Sequence, residues 1–192
     1  MKEADRAEFT KAMKATHTIL LPDMLHYHNA LLQAAFASCG YHMEILPDEK
    51  NLPGYSLPYI SSDYCFPTVL ILGQVLAALR SGRFQTDRIA FMEPQTGGAC
   101  RAGNIYNSII QSLKKAGYGY IPVISLNAFG KEKHAGFTIT PKLLFCATSA
   151  VCFGDLLMSL YQQVRPYERR KGDAKACLER WNRIVRTVWA DL

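Results

Sequence analysis

The run Thr16-His17-Thr18-Ile19-Leu20-Leu21 is apolar and β-branched, and Pro22 ends it. That pattern predicts a buried strand. From Leu25 to Ser38 the apolar positions Leu25, Leu32, Phe36 and Cys39 recur at helical spacing, with Gly40 as the stop. Tyr41 to Leu46 predicts a second strand, closed by Pro47-Asp48. A loop with Pro53-Gly54 and Pro58 follows. Phe66 to Leu79 is apolar nearly all round, with Pro67 at the first helical position and Ser81-Gly82 behind it, so it predicts a helix buried on most sides. Arg88 to Met92 predicts a third strand, and Pro94 opens a glycine-rich loop. Asn104 is the expected N-cap of a helix whose inner face is Ile105, Ile109, Ile110 and Leu113. Tyr120 to Leu126 completes the series as a fourth strand.

Strands alternating with helices of ordinary length predict an α/β fold, a Rossmann-like parallel sheet flanked by helices. Ligands of such sheets bind beyond the carboxyl ends of the strands. After Asn127 the pattern changes. Ala128 to Gly136 reads as a loop, and Pro141 to Val164 as one long helix. Ala147, Ala150 and Gly154 on that helix allow close approach of a neighbour. Arg165-Pro166-Tyr167-Glu168 breaks it, and a final helix runs from Asp173 to about Ala190, with Leu178, Trp181, Val185 and Val188 as its apolar stripe. The expected organisation is an N-terminal extension (1–14), the α/β core (15–130) and a helical C-terminal segment (131–192) packed on it.

The 192 residues suffice for one substantial domain. No run is expected to reach the length of a membrane span, and no signal-peptide pattern follows Met1. The expected location is the cytoplasm, with no membrane partner. Six cysteines in that setting are not expected to form disulfides, and no Cys-x-x-Cys points to a zinc ribbon or thioredoxin-type pair. Much of the formal charge of +6 lies in the last quarter, at Arg165, Arg169, Arg170, Lys171, Lys175, Arg180, Arg183 and Arg186. No aromatic or glycine motif is interleaved with it, which argues against nucleic acid and for a solvated helix face with anion affinity at most.

Candidate chemistry centres on two segments, Asp63-Tyr64-Cys65-Phe66-Pro67 and Gln95-Thr96-Gly97-Gly98-Ala99-Cys100-Arg101-Ala102-Gly103-Asn104. Each sets a cysteine in a turn-prone stretch just before an apolar helix. For Cys100, the helix N-terminus and the positive charge of Arg101 favour a thiolate. Cys65 lies near Asp63, so a metal-bound thiolate is favoured over a bare nucleophile. Gly97, Gly98, Arg101 and Asn104 are the candidate anion- or cofactor-binding residues. The loop is neither Gly-x-Gly-x-x-Gly nor a phosphate loop ending in Gly-Lys-Ser/Thr. Cys39, Cys146, Cys152 and Cys177 fall on or at the ends of expected helices and are expected to be buried small hydrophobes. His26 and His28, two apart, would not share a helix face. There is no serine-nucleophile motif and no suggestive pair of carboxylates.

Taken together and in order, Thr16-His17-Thr18-Ile19-Leu20-Leu21-Pro22, Asp63-x-Cys65-x-Pro67, Gly73-Gln74, Ala78-Leu79-x-Ser81-Gly82, Gln95-Thr96-Gly97-Gly98-x-Cys100-Arg101-Ala102, Pro122-Val123-Ile124-Ser125-Leu126-Asn127, Gly154-Asp155-Leu156-Leu157-Met158 and Arg165-Pro166-Tyr167-Glu168 resemble a known family. It is the C-terminal, dehydratase-like region of the large activases of 2-hydroxyacyl-CoA dehydratases. The resemblance implies a Rossmann-like domain of a larger protein in anaerobic metabolism, with Cys65 and Cys100 as ligands of an iron–sulfur cluster, [4Fe-4S], used in electron transfer. Further ligands would come from Cys146 or Cys152, or from sequence beyond Leu192. The implied partners are other domains of the same protein or a dehydratase/activator component. The chain departs from the family pattern at Ala99, where members have glycine, and at Gly103, where they have serine. Without a cluster, the alternatives are a non-catalytic docking domain or an anion- or coenzyme-A-binding α/β module.

Overall fold

The computed structural model describes residues 6–24, 26–47, 49–61, 63–94, 105–126 and 134–190. In chain order the elements are α1 (Met13–Thr16), β1 (Thr18–Leu21), α2 (Asn29–Ala37), β2 (Met43–Ile45), α3 (Leu52–Ser56), α4 (Phe66–Arg80), β3 (Ile89–Pro94), α5 (Ile105–Lys115), β4 (Val123–Leu126), α6 (Pro141–Val164), a short 3₁₀ turn (Arg165–Tyr167) and α7 (Asp173–Ala190). The four strands form one parallel sheet in the order β2-β1-β3-β4. Leu20 pairs with Phe91, Phe91 with Val123, and Glu93 with Ser125. The expected parallel α/β fold, flanked by helices and ending in helices, is the fold observed.

The chain divides into two compact units, and neither is continuous in sequence. Unit 1 comprises residues 1–24 and 42–138 and contains the sheet. Leu20, Phe91 and Val123, on one sheet face, pack with Leu72, Val75 and Leu76 of α4 and with Ile105, Ile109 and Leu113 of α5. The α5 face is therefore the one its periodicity predicts. Every residue of α4 from Ile71 to Leu79 is buried. The helix is apolar all round because it also packs against α3. At Gly73 an added Cβ would overlap the carbonyl and Cβ of Leu52, so glycine lets the two helices close.

Several boundaries differ from the sequence expectation for identifiable reasons. The Pro53-Gly54 stretch is the helix α3 and not a loop; Pro53 sits in its first turn, where no amide hydrogen bond is lost, and Leu52 and Ser56 are buried. β1 starts only at Thr18, because a helical turn precedes it and the His17 amide closes that turn on the Met13 carbonyl. β3 runs on past Met92 through Glu93 and Pro94, and Pro94 pairs in register with Leu126. β4 begins at Val123, and Tyr120 is exposed, its hydroxyl near Thr86.

Unit 2 comprises residues 25–41 and 139–192, that is, α2, α6 and α7. The crossover helix α2 thus groups with the C-terminal helices, where sequence reading assigned it to the core at 15–130. It starts later than expected, at Asn29, with the His28 carbonyl receiving the Leu31 and Leu32 amides. Its buried face is Leu31, Ala35 and Phe36, while Leu32 and Cys39 are half-buried. Gly40, at φ 76°, ends it, and the Tyr41 amide returns to the Phe36 carbonyl. α6 and α7 have the predicted bounds, and the Thr140 side chain caps α6 by accepting from the Leu143 amide at 3.1 Å. Leu143, Cys146, Ala150 and Leu157 are buried, while Leu144, Phe145, Leu156 and Leu160 are exposed. Residues Pro141–Tyr167 are long and apolar enough to cross a membrane by length and composition, with a mean hydropathy of 1.8 over the most apolar window. The sequence reading expected no run of that kind.

Candidate functional site

In a parallel sheet of order β2-β1-β3-β4 the chain leaves β1 toward β2 on one side and later returns to β3 on the other. The carboxyl ends of β1 and β3 therefore flank a topological switch point, where open α/β sheets bind ligands. Leu21-Pro22-Asp23 leave the sheet on one side of it and Met92-Glu93-Pro94 on the other. α4 is fastened to this edge. The Asp23 amide donates to Gln74 Oε1 at 2.7 Å, and Gln74 Nε2 donates back to the Asp23 carbonyl at 3.4 Å. Gln74 is itself buried, which makes this two-way amide clasp the reason a polar side chain interrupts an apolar helix.

Cys65 is the N-cap residue of α4, and its side chain is half-buried. It lies nine residues before Gln74, so at 1.5 Å per residue it stands about 13 Å beyond the level of Asp23 along the helix axis. Its sulfur is 2.9 Å from Thr68 Oγ1, and Thr68 is buried in the first turn of α4. Asp63 is occupied locally, accepting from the Ser61 hydroxyl at 3.0 Å. The helix N-terminus favours an anionic sulfur, although Pro67 removes one of the amides that would face it.

Glu93 went unnoticed in the sequence and is the most unusual group at this edge. Alternation along β3 sets it on the same face as Phe91, toward α4 and α5. It is 1% exposed, and its Oε2 has no hydrogen-bond partner among the described residues. Burial pushes its carboxyl up to about 8, so the group is a neutral acid at pH 7. Ser125, its register partner on β4, is buried beside it. The available signal was a lone acid at the end of the apolar run Ile89-Ala90-Phe91-Met92, just before Pro94. No second carboxylate lies nearby in sequence to draw attention to it.

The other candidates divide sharply. Gly97, Gly98, Cys100, Arg101 and Asn104 lie outside the described residues, so of the expected cysteine pair only Cys65 is described. Cys146 is buried among Leu31, Ala35, Ala150 and Leu157, as expected of a small hydrophobe. Cys152 and Cys177 are exposed instead, because the faces of α6 and α7 that carry them are uncovered in unit 2. His28 precedes α2 and pairs with Asp155 of α6. Among the described residues no three His, Cys, Asp or Glu side chains converge as a metal-holding group. Compared with known protein families, curated proteins and solved structures, the chain matches none.

Proposed function

We propose that this chain is a domain of a 2-hydroxyacyl-CoA dehydratase/activase-type system that contributes Cys65 and Cys100 as ligands to an iron–sulfur cluster. What supports the reading is the set of sequence motifs together with one structural observation: Cys65 is the half-buried N-cap residue of α4, on the ligand-binding side of a parallel sheet. Cys65 fits the role of a single ligand. Its sulfur is partly shielded, and the Thr68 hydroxyl is close enough to donate to it. The remaining thiolates would come from Cys100 and from a partner domain or component. A cluster held there would supply one-electron transfer. Its partners would be other domains of a larger protein or a dehydratase/activator component, in the cytoplasm.

The test is anaerobic reconstitution with iron and sulfide. Bound iron and sulfide that fall away in Cys65→Ser and in Cys100→Ser support the proposal. A folded chain that takes up neither overturns it.

Glu93 favours a second reading, an α/β module that binds coenzyme A or another ligand at the switch point without a cluster. A buried neutral acid with an open oxygen is costly to keep unless something uses it. Calorimetry with coenzyme A, comparing the wild type with Glu93→Gln, separates the two. Heat that depends on Glu93 but not on Cys65 selects the second reading.

A further inference from the structure

α2 and α7 of unit 2 border an open groove of about 550 Å³, within the size range of small-ligand sites. Ala34, Ala37 and Ser38 line it from α2, and Arg183, Arg186 and Thr187 from α7. The two arginines are three residues apart on one helix face, continuing a basic stripe from Arg180. Like charges at that spacing destabilise a helix unless something neutralises them.

Nothing described in unit 2 does so. Asp155 is taken by His28, Asp173 by Arg170, Glu179 by Lys175, and Glu168 by the amides of Gly172 and Ala174. Neither Arg183 nor Arg186 has a side-chain partner among the described residues. The last carbonyls of α2, which could otherwise attract a guanidinium, are already bonded. Ala34 receives the Ser38 amide, Ala35 the Ser38 hydroxyl, Phe36 the Cys39 and Tyr41 amides, and Ala37 the Gly40 amide.

We propose that this groove binds a phosphate-bearing small molecule, with Arg183 and Arg186 clamping the phosphate oxygens and the Ala34–Ala37 wall admitting the rest of the ligand. Guanidinium forks suit phosphate because they offer paired, charged donors in a planar array. The site is independent of Cys65 and of the iron–sulfur reading.

The test uses the purified 192-residue chain and inorganic pyrophosphate, followed by calorimetry at low ionic strength. Arg183→Gln and Arg186→Gln should each weaken binding about tenfold or more. Arg180→Gln removes the same charge outside the lining and should weaken it less than about threefold. Ala37→Leu fills the groove with both arginines intact and should abolish binding. Equal losses for Arg180→Gln and Arg183→Gln would mean a diffuse basic face and overturn the proposal. So would unchanged binding in a folded Ala37→Leu variant; if that variant does not fold, the arginine comparison decides. A parallel arm with phosphatidylglycerol vesicles separates the sources of phosphate. Vesicle binding without pyrophosphate binding would overturn the small-molecule form.

Discussion

His28 Nε2 lies 3.0 Å from Asp155 Oδ1, joining residues 127 positions apart and fastening the start of α2 to the middle of α6. The imidazole is almost wholly buried and the carboxylate mostly exposed. This explains an acid in the middle of an apolar helix: it is the hydrogen-bond partner that lets His28 be buried. Asp155→Ala should destabilise unit 2 by about 1–3 kcal/mol, the cost of stranding a buried polar group. Asp155→Asn keeps a hydrogen-bonding side chain and should cost less. Urea unfolding of the three proteins checks the order, and equal stabilities would remove the pair as a fastening.

Gly154 belongs to the same contact. A Cβ there would overlap the His28 ring. Gly154→Ala should therefore destabilise the wild type by about 1–3 kcal/mol through overpacking. In a His28→Ala background the clash is gone, and the helix preference of alanine, about 1 kcal/mol, should make the same change neutral or favourable. The double-mutant cycle measures this coupling directly. Additive effects would show that the ring and the helix do not meet.

Glu93 sets a pH dependence of known sign. Its carboxyl is raised from 4.5 to about 8 by burial, so between those values the folded chain holds a proton that the unfolded chain has released. The stability contributed by its neutral form is full below pH 4.5 and is lost as pH rises toward 8. Across that window the loss is on the order of 5 kcal/mol. Glu93→Gln, neutral at every pH, should flatten that part of the profile. Thermal unfolding at several pH values tests it, and an unchanged slope in the variant would assign the effect to other groups.

The thiols should separate by rate. Cys152 and Cys177 are exposed and should be alkylated first, Cys39 and Cys65 more slowly, and Cys146 only as unit 2 opens. Timed alkylation with mass-spectrometric mapping reads each site. Modification of Cys146 as fast as Cys152 would contradict the packing of α2 on α6.

How much was legible depends on what each residue answers to. Ile105, Ile109, Ile110 and Leu113 announce a buried helix face by spacing alone, and that face is buried. α6 and α7 begin and end where proline, glycine and apolar periodicity say they should. α2 was misread because its apolar residues exceed one face. Leu32 and Phe36 both looked inward-facing, and the partner helices chose Leu31, Ala35 and Phe36. α3 was missed because Pro53 and Gly54 are turn formers by local preference, and only packing against Gly73 of α4 rewards a helix there.

By itself, then, the sequence determined the alternation of strands and helices, the parallel sheet that follows from it, and the apolar faces that close its core. Those features rest on local periodicity and on backbone hydrogen bonds between near neighbours, which a linear pattern encodes. Only the tertiary structure decided that Glu93 is a buried neutral acid, that Gln74 clasps Asp23, that His28 needs Asp155, and that Arg183 and Arg186 line a groove formed with α2. Burial and electrostatics depend on which surfaces meet, and no spacing within one segment specifies the segment that arrives against it.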